Sequence, residues 1–158
     1  MKIVIQRVIS AEFISKNELV SKIGNGIYVL VGAEQGDTME DVDYVAKKIL
    51  NCKFFNDSEL GLPDDSSHRW KKSVKERGLE ILIATNFTLP SSLKKGTKPN
   101  LCLALDPEQA RVLTSALVEK LMAMYSPEKI KRGVFQCYSR IKLECDGPCT
   151  FLIETKKK

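Results

Sequence analysis

The spacing of apolar residues changes along this chain, and the change restricts the folds that the chain can adopt. Residues 2–13 alternate well enough to predict a strand, and 17–34 predicts a second short strand, a turn at 24–26 and a strongly apolar third strand. Residues 37–51 then repeat apolar side chains at helical spacing. The chain therefore opens with β-structure and continues into a helix that buries one face.

Two helices are predicted, and each carries an N-terminal signal. Asp37 or Thr38 can cap the first helix through its side-chain oxygen. The second helix is predicted at 106–126, with Asp106 as N-cap and Pro107 at the first helical position, where proline is favoured. These are the two main helices of the predicted fold.

Strands are also predicted in the rest of the chain, at 52–57, 78–89, 133–144 and 149–155. The most apolar of them should end at Thr88 or Leu89, just before a proline. The last two are predicted to be joined by a turn at 146–148, and 58–69 is predicted to be an exposed loop because it is rich in turn-forming residues.

These elements predict the class and the domain organisation of the protein. We expect an α/β fold, a single domain of mixed, largely antiparallel β-sheets flanked by two main helices. A chain of 158 residues fits one domain, spanning 1–158 with a basic tail at 156–158.

Composition and charge limit the compartment and the partners. The formal net charge of +5 is compatible with a phosphate-rich partner such as RNA, although lysine clusters are more often simply solvated surface. No apolar run approaches the roughly 20 residues of a membrane span. Five cysteines without a CxxC pair argue against a disulfide framework and a zinc ribbon. We therefore expect a cytoplasmic protein with no membrane partner, no metal and no cofactor.

The sequence lacks the side chains of several common catalytic arrangements. Its one histidine, His68, stands in the predicted exposed loop, so a Ser-His-Asp or Cys-His arrangement has no evident base. GxSxG, HExxH, Walker and GxGxxG motifs are absent from the sequence. An enzyme with this sequence would have to rely on backbone groups, a hydroxyl or the substrate itself.

Two short motifs carry a resemblance to a known family. The chain reads TNFTL at 85–89 and CDGPCT at 145–150, and these resemble the SQFTL and NxGPVT motifs of the D-aminoacyl-tRNA deacylase (D-tyrosyl-tRNA deacylase) family. Further blocks, among them VIQRV, GIYVLVG, FFND, WKKSV and GVFQCYS, match in the same order. The resemblance therefore covers nearly the whole chain.

The resemblance implies an enzyme that hydrolyses the ester between a D-amino acid and the terminal ribose of tRNA. It also implies a homodimer with active sites at the subunit interface, where the cis Gly147-Pro148 pair of one subunit excludes L side chains from its partner's pocket. The substrate would be bound at the acceptor end of the tRNA, and glycyl-tRNA mischarged on tRNA(Ala) is a further candidate substrate. Taken alone, Gly147-Pro148 also fits an ordinary turn between strands.

The resemblance also implies roles for individual residues. It assigns Gly147 and Pro148 to the filter, and Phe87 and Thr88 to the pocket beside the scissile ester, where backbone donors would form an oxyanion site. Asn86 completes the catalytic set. The residues expected to bind substrate or to support the filter are Arg7, Thr85, Phe135 at the adenine, Cys145 and Asp146. Lys98 is added to the substrate-binding set on its charge, which could meet a phosphate near the acceptor end.

Three of these positions depart from the family motifs. Thr85 and Asn86 replace Ser and Gln, which keeps the side-chain amide but shortens it by one methylene, and Cys145 replaces Asn. The substitutions leave a second hypothesis open, in which the chain is a catalytically weakened nucleic-acid-binding relative with the same fold. Cys145 and Cys149 also fit small-residue packing better than a redox or metal site.

Overall fold

The computed structural model describes residues 1–57, 69–94 and 96–157. The described part contains two α-helices, α1 (Met39–Asn51) and α2 (Pro107–Met124). Its strands are β1 (Lys2–Ser15), β2 (Glu18–Ile23), β3 (Gly26–Gly32), β4 (Glu80–Thr85), β5 (Ile130–Arg132) and β6 (Ser139–Glu154).

The strands form one mixed, six-stranded sheet with the order β2-β1-β3-β4-β5. β1 is antiparallel to β3 through its first half and to β2 through its second half, and β6 is antiparallel to β1 along the opposite edge. β3, β4 and β5 are parallel to one another. The fold class predicted from the sequence is therefore confirmed, with a single sheet.

Both helices pack on one face of the sheet. The apolar faces of α1 and α2 meet alternate residues of β1, β3 and β4 in the larger core, which includes Ile3, Ile5, Val29, Leu50 and Leu117. The capping box that begins α1 is present, since the Asp41 carboxylate accepts from the Thr38 N–H at 2.9 Å. A smaller cluster around Phe13, Tyr28 and Leu82 covers the other face, which the helices leave open to a cleft.

The C-terminal part of the chain differs from the prediction. Residues 139–154 form one strand, not two strands joined by a turn. Gln6 of β1 is opposite Thr150 and Val8 is opposite Cys145, so 146–149 stand opposite Arg7 alone. Gly147-Pro148 is therefore a bulge within a strand. The turn prediction was wrong because β1 is long enough to pair with both halves, and this pairing is not visible in the local sequence.

Three smaller predictions were also wrong. β4 ends at Thr85 because Asn86 begins a turn, so the strand does not reach Thr88 or Leu89. The 52–57 segment makes only an isolated bridge between Phe55 and Lys72. Residues 133–138 are not a strand, and β5 precedes them. The predicted loop at 58–69, His68 included, lies outside the described residues except for Arg69.

Candidate functional site

A tight turn follows β4 and is built by Asn86. The Asn86 N–H donates to the Val31 carbonyl at 2.8 Å, which ties the turn to β3. Its side-chain Oδ1 accepts from the Thr88 N–H at 3.0 Å and from the Thr88 hydroxyl at 2.5 Å. The turn presents Phe87 outward, and that side chain is 67% exposed although it is apolar.

A cleft of about 890 Å³ opens beside this turn on the face of the sheet opposite the helices' core. Phe13, Tyr28 and Leu30 line it from the sheet, and the segment 134–139 lines another side. Four residues predicted for the site lie together in this lining, namely Thr85, Asn86, Phe87 and Phe135. A concave, mostly apolar cleft with a few polar groups is the usual form of a small-ligand site.

Tyr28 is a cleft residue that sequence reasoning missed. Its side chain is 3% exposed, and burial raises the pKa of its phenol to about 12. The hydroxyl is therefore neutral at physiological pH and can donate a hydrogen bond into the cleft. The alternation of side chains along β3 could have predicted this position. Ile27 and Val29 face the helices, so Tyr28 between them must face the opposite side.

The second predicted motif forms the bulge of β6, which Arg7 holds from β1. Arg7 Nε lies 2.7 Å from Asp146 Oδ2, an ion pair that is not aligned as a hydrogen bond. Its Nη1 donates to the Phe54 carbonyl at 3.0 Å. Gly147 and Pro148, joined by a cis bond, are exposed at the tip. Arg7 thus connects the bulge to the chain segment after α1.

Glycine is required at position 147 for two reasons. Its φ of +126° lies in a region that L side chains rarely adopt. A Cβ at this position would lie 2.7 Å from the Cys149 sulfur and 2.9 Å from the Cys149 nitrogen. Arg7 Nη2 is also 3.5 Å from that point. At position 147 the bulge therefore presents main chain without a side chain.

The two motifs do not share one cleft within a single chain. Among the predicted residues, those absent from the cleft lining are Arg7, Thr88, Lys98, Cys145, Asp146, Gly147 and Pro148. Lys98 is exposed in the loop whose ends meet at the bridge between Ser92 and Asn100. The structure thus separates the predicted site into a cleft and an exposed bulge.

Two further findings concern the described residues only. No group of three or more His, Cys, Asp or Glu side chains there is arranged to hold a metal ion. Neither helix of that part is long and apolar enough to cross a membrane.

Comparison with known proteins identifies the family. A family model described as D-Tyr-tRNA(Tyr) deacylase matches residues 4–154. The D-aminoacyl-tRNA deacylase 1 of Leishmania major is 40% identical over 158 residues, which cover 100% of this chain and 99% of the relative. The D-aminoacyl-tRNA deacylase of Drosophila melanogaster is 39% identical, with 100% and 94% covered.

A solved structure matches this chain in fold. The structure of a protein called c-Myc DNA Unwinding Element Binding Protein superposes with a TM-score of 0.88 at 38% identity, covering 98% of this chain and 99% of its own. The mixed sheet, the cleft and the match over nearly the whole sequence define one class of protein. This chain belongs to the D-Tyr-tRNA(Tyr) deacylase family.

Proposed function

We propose that this protein hydrolyses the ester of D-aminoacyl-tRNA and releases the free D-amino acid and tRNA. The names of the relatives support this activity. The observation that carries it is the position of the Asn86 turn, which puts a main-chain donor at the mouth of the cleft. Among the described residues, the Phe87 N–H has no hydrogen-bond acceptor.

The hydrogen bonds of the turn assign different roles to Phe87 and Thr88. The Thr88 N–H is already bonded to Asn86, so the Phe87 N–H is the donor left for the oxyanion of the tetrahedral intermediate. The Thr88 hydroxyl donates to the same Asn86 oxygen, and the described part of the chain contains no histidine that could act as a base. Thr88 is therefore a structural residue of the turn and not a nucleophile.

The remaining chemistry is assigned to water and the substrate. A water oxygen attacks the ester carbonyl carbon, and the terminal 2′-hydroxyl of the tRNA assists in moving its proton. The carbon–oxygen bond to the ribose breaks, and the ribose oxygen takes up a proton. Tyr28 lines the cleft and burial raises the pKa of its phenol to about 12, so its protonated hydroxyl would be a second donor to the bound ester.

We assign rejection of L-aminoacyl groups to the Gly147-Pro148 tip of a second copy of the chain. The tip is exposed and is not part of the cleft of its own chain. The rim of the cleft also exposes apolar side chains, with Phe87 67%, Tyr138 87% and Val134 44% exposed. Exposed apolar patches of this kind mark interaction sites. A homodimer would cover the rim and bring the tip to the cleft.

The direct test compares release of labelled tyrosine from D-Tyr-tRNA and L-Tyr-tRNA by the purified protein. We expect release from the D ester only, and Pro148→Ala is expected to reduce the ratio of D to L release. Release from neither ester, under conditions in which an active relative works, would reject the proposal.

Glycyl-tRNA mischarged on tRNA(Ala) is the finer substrate proposal. A filter made of main chain blocks an L side chain, but it offers nothing that blocks glycine. We expect glycine to be released from this tRNA at least as fast as D-tyrosine from D-Tyr-tRNA at equal enzyme. Slower cleavage of the glycyl ester would remove glycyl-tRNA from the proposed substrates.

A second candidate function is nucleic-acid binding without turnover. It is favoured by the name of the solved relative with 38% identity, which refers to binding of a DNA element. Binding that weakens with salt and does not distinguish tRNA from duplex DNA, together with no ester hydrolysis, would support this candidate.

A further inference from the structure

A second cavity, of about 400 Å³, adjoins the cleft on the side of α2 and β5. Four residues line both spaces, namely Thr85, Thr114, Val134 and Phe135. The second lining adds Arg111 from α2 and Arg132 from β5, and its described residues include no carboxylate. The cavity is therefore basic, whereas the cleft is mostly apolar.

Arg111 is held against the wall between the two spaces. Its guanidinium carbon lies 4.9 Å from the centre of the Phe135 ring, a cation–π contact that covers one face of the ring. Arg111 Nη2 donates to Gln136 Oε1 at 3.4 Å, and its Nε is 3.8 Å from Glu108 Oε2. Phe135 itself is half-buried and also lines the cleft.

Arg132 is the last residue of β5, and its main chain is fixed. Its carbonyl accepts from the Ser21 hydroxyl at 2.6 Å. Within the described part of the chain, its guanidinium has no hydrogen-bond or ion-pair partner. A guanidinium fork that borders a cavity and has no partner is suited to bidentate binding of a phosphate.

We infer that this cavity is a subsite for the 5′-phosphate of the terminal adenosine of the aminoacyl-tRNA. The inference rests on the proposed function. The adenine would stack on Phe135 where this residue lines the cleft, and the ester would reach the Asn86–Phe87 turn. The 5′-phosphate, which is one ribose away from the base, would lie at Arg132 and Arg111.

The subsite has a chemical consequence for substrate selection. A free aminoacyl ester or nucleoside ester lacks this phosphate, so it would lose the contacts to both guanidinium groups. The cavity would thus favour an ester carried on a nucleotide chain. The cavity would also fix the direction of the tRNA strand. Its 5′ side must leave past β5, while its 3′ end enters the cleft.

The test measures equilibrium binding of adenosine and of adenosine 5′-monophosphate by calorimetry, without an ester. We expect the monophosphate to bind about tenfold more tightly than adenosine, as one charge-assisted hydrogen bond suggests. Arg132→Gln and Arg111→Gln should each reduce this ratio, and Arg132→Gln should bring it close to one. Lys131→Gln is the matched control, because it removes a neighbouring charge that does not line the cavity.

Several results would overturn the inference. These are a wild-type ratio near one, a ratio unchanged in both arginine variants, or an equal loss in Lys131→Gln. If inorganic phosphate displaces adenosine 5′-monophosphate and binds as tightly as the monophosphate does, the cavity is a general anion site instead. D-Tyr-tRNA turnover is measured separately, so absence of turnover with the ratio retained rejects the proposed function and keeps the subsite.

Discussion

At the scale of single residues, Gly147 sets the shape of the tip that we propose as the chirality filter. Alanine at this position would keep the unfavourable φ and would also meet the Cys149 sulfur and nitrogen. We expect Gly147→Ala to lower the rate of D-Tyr release by about 100-fold, because a shift of about 1 Å in an active-site group can cost that much.

Gly78→Ala is the matched control for this change. Gly78 also has a positive φ, of +63°, but a Cβ there would meet nothing within 4 Å. The control should lose a little stability and keep its activity. Equal activities of the two variants in the initial-rate assay would contradict the role assigned to the tip.

Arg7 makes two polar contacts that one lysine cannot make together. Its guanidinium pairs with Asp146 and donates to the Phe54 carbonyl. We expect Arg7→Lys to lower the ratio of D-Tyr to L-Tyr release by about tenfold, since a charge-assisted contact is lost. Arg140→Lys, in which the exposed arginine bonded to Asn17 is changed, serves as control. An unchanged ratio for Arg7→Lys would show that the bulge does not need its support.

Tyr28 links the cleft to the pH dependence of stability. Its pKa is raised from 10.0 to about 12 by burial, so the native state keeps a proton that the unfolded state has lost in that interval. The free energy of unfolding should therefore fall as pH rises from about 10 to about 12. Tyr28→Phe should remove part of this fall, while the fall due to Tyr125, whose pKa burial also raises, should remain.

Urea unfolding at several alkaline pH values measures this effect. Tyr138→Phe changes a tyrosine that is 87% exposed and provides the control. Parallel pH profiles for the wild type and Tyr28→Phe would show that the Tyr28 phenol ionises in the native state as it does in the unfolded chain.

At the scale of elements, variants of the turn after β4 distinguish two mechanisms. In one, the main-chain donors of the turn act on the ester; in the other, the Thr88 hydroxyl takes part in the chemistry. If Asn86 shapes the turn, Asn86→Ala frees the Thr88 N–H and should reduce turnover by more than about tenfold. Thr88→Val keeps the main-chain bond to Asn86 and removes only the hydroxyl, so it should retain activity within a few-fold. Both rates are measured with D-Tyr-tRNA. Complete loss of activity in Thr88→Val alone would indicate that its hydroxyl takes part in the chemistry.

The elements that the sequence predicted correctly are those governed by local patterns. β1, β2, β3, α1 and α2 show clear strand or helix periods, and both helices carry caps. The failures depend on distant partners. The bulge at 146–149 exists because β1 continues past it, and β5 is a strand because it pairs with β4. Neither pairing can be recognised from the spacing of apolar residues in the local sequence.

The site was also only partly predictable. The motif residues Thr85, Asn86 and Phe87 do line the cleft, and Phe135 joins them. Tyr28 and the two arginines of the second cavity were missed, because a tyrosine in a strand and single arginines look ordinary until the sheet and α2 bring them to a cavity. Residues that function through three-dimensional proximity carry no spacing signal.

At the scale of the whole molecule, the proposal requires that each active site use two chains. Coexpression of Gly147→Ala with Asn86→Ala gives mixed dimers in which one cleft keeps Asn86 and receives an intact tip. If half of the dimers are mixed, about a quarter of the wild-type activity should return. The rate per dimer with D-Tyr-tRNA is the measurement.

The control for this experiment is wild-type chain coexpressed with the double variant. Mixed dimers of that kind have no intact site, so about a quarter of the wild-type activity should remain, all of it in wild-type dimers. About half would remain if each chain were complete by itself. A monomeric protein with full activity would also contradict the shared site.

The corner behind Arg7 contains a natural optical label. The chain has one tryptophan, Trp70, which is 47% exposed and lies edge-on to Phe151 with ring centres 5.7 Å apart. Phe151 in turn packs on Phe54, whose carbonyl binds Arg7. All tryptophan emission therefore comes from beside the β6 bulge. Association of subunits or arrival of tRNA at this corner can be followed by fluorescence in the unmodified protein.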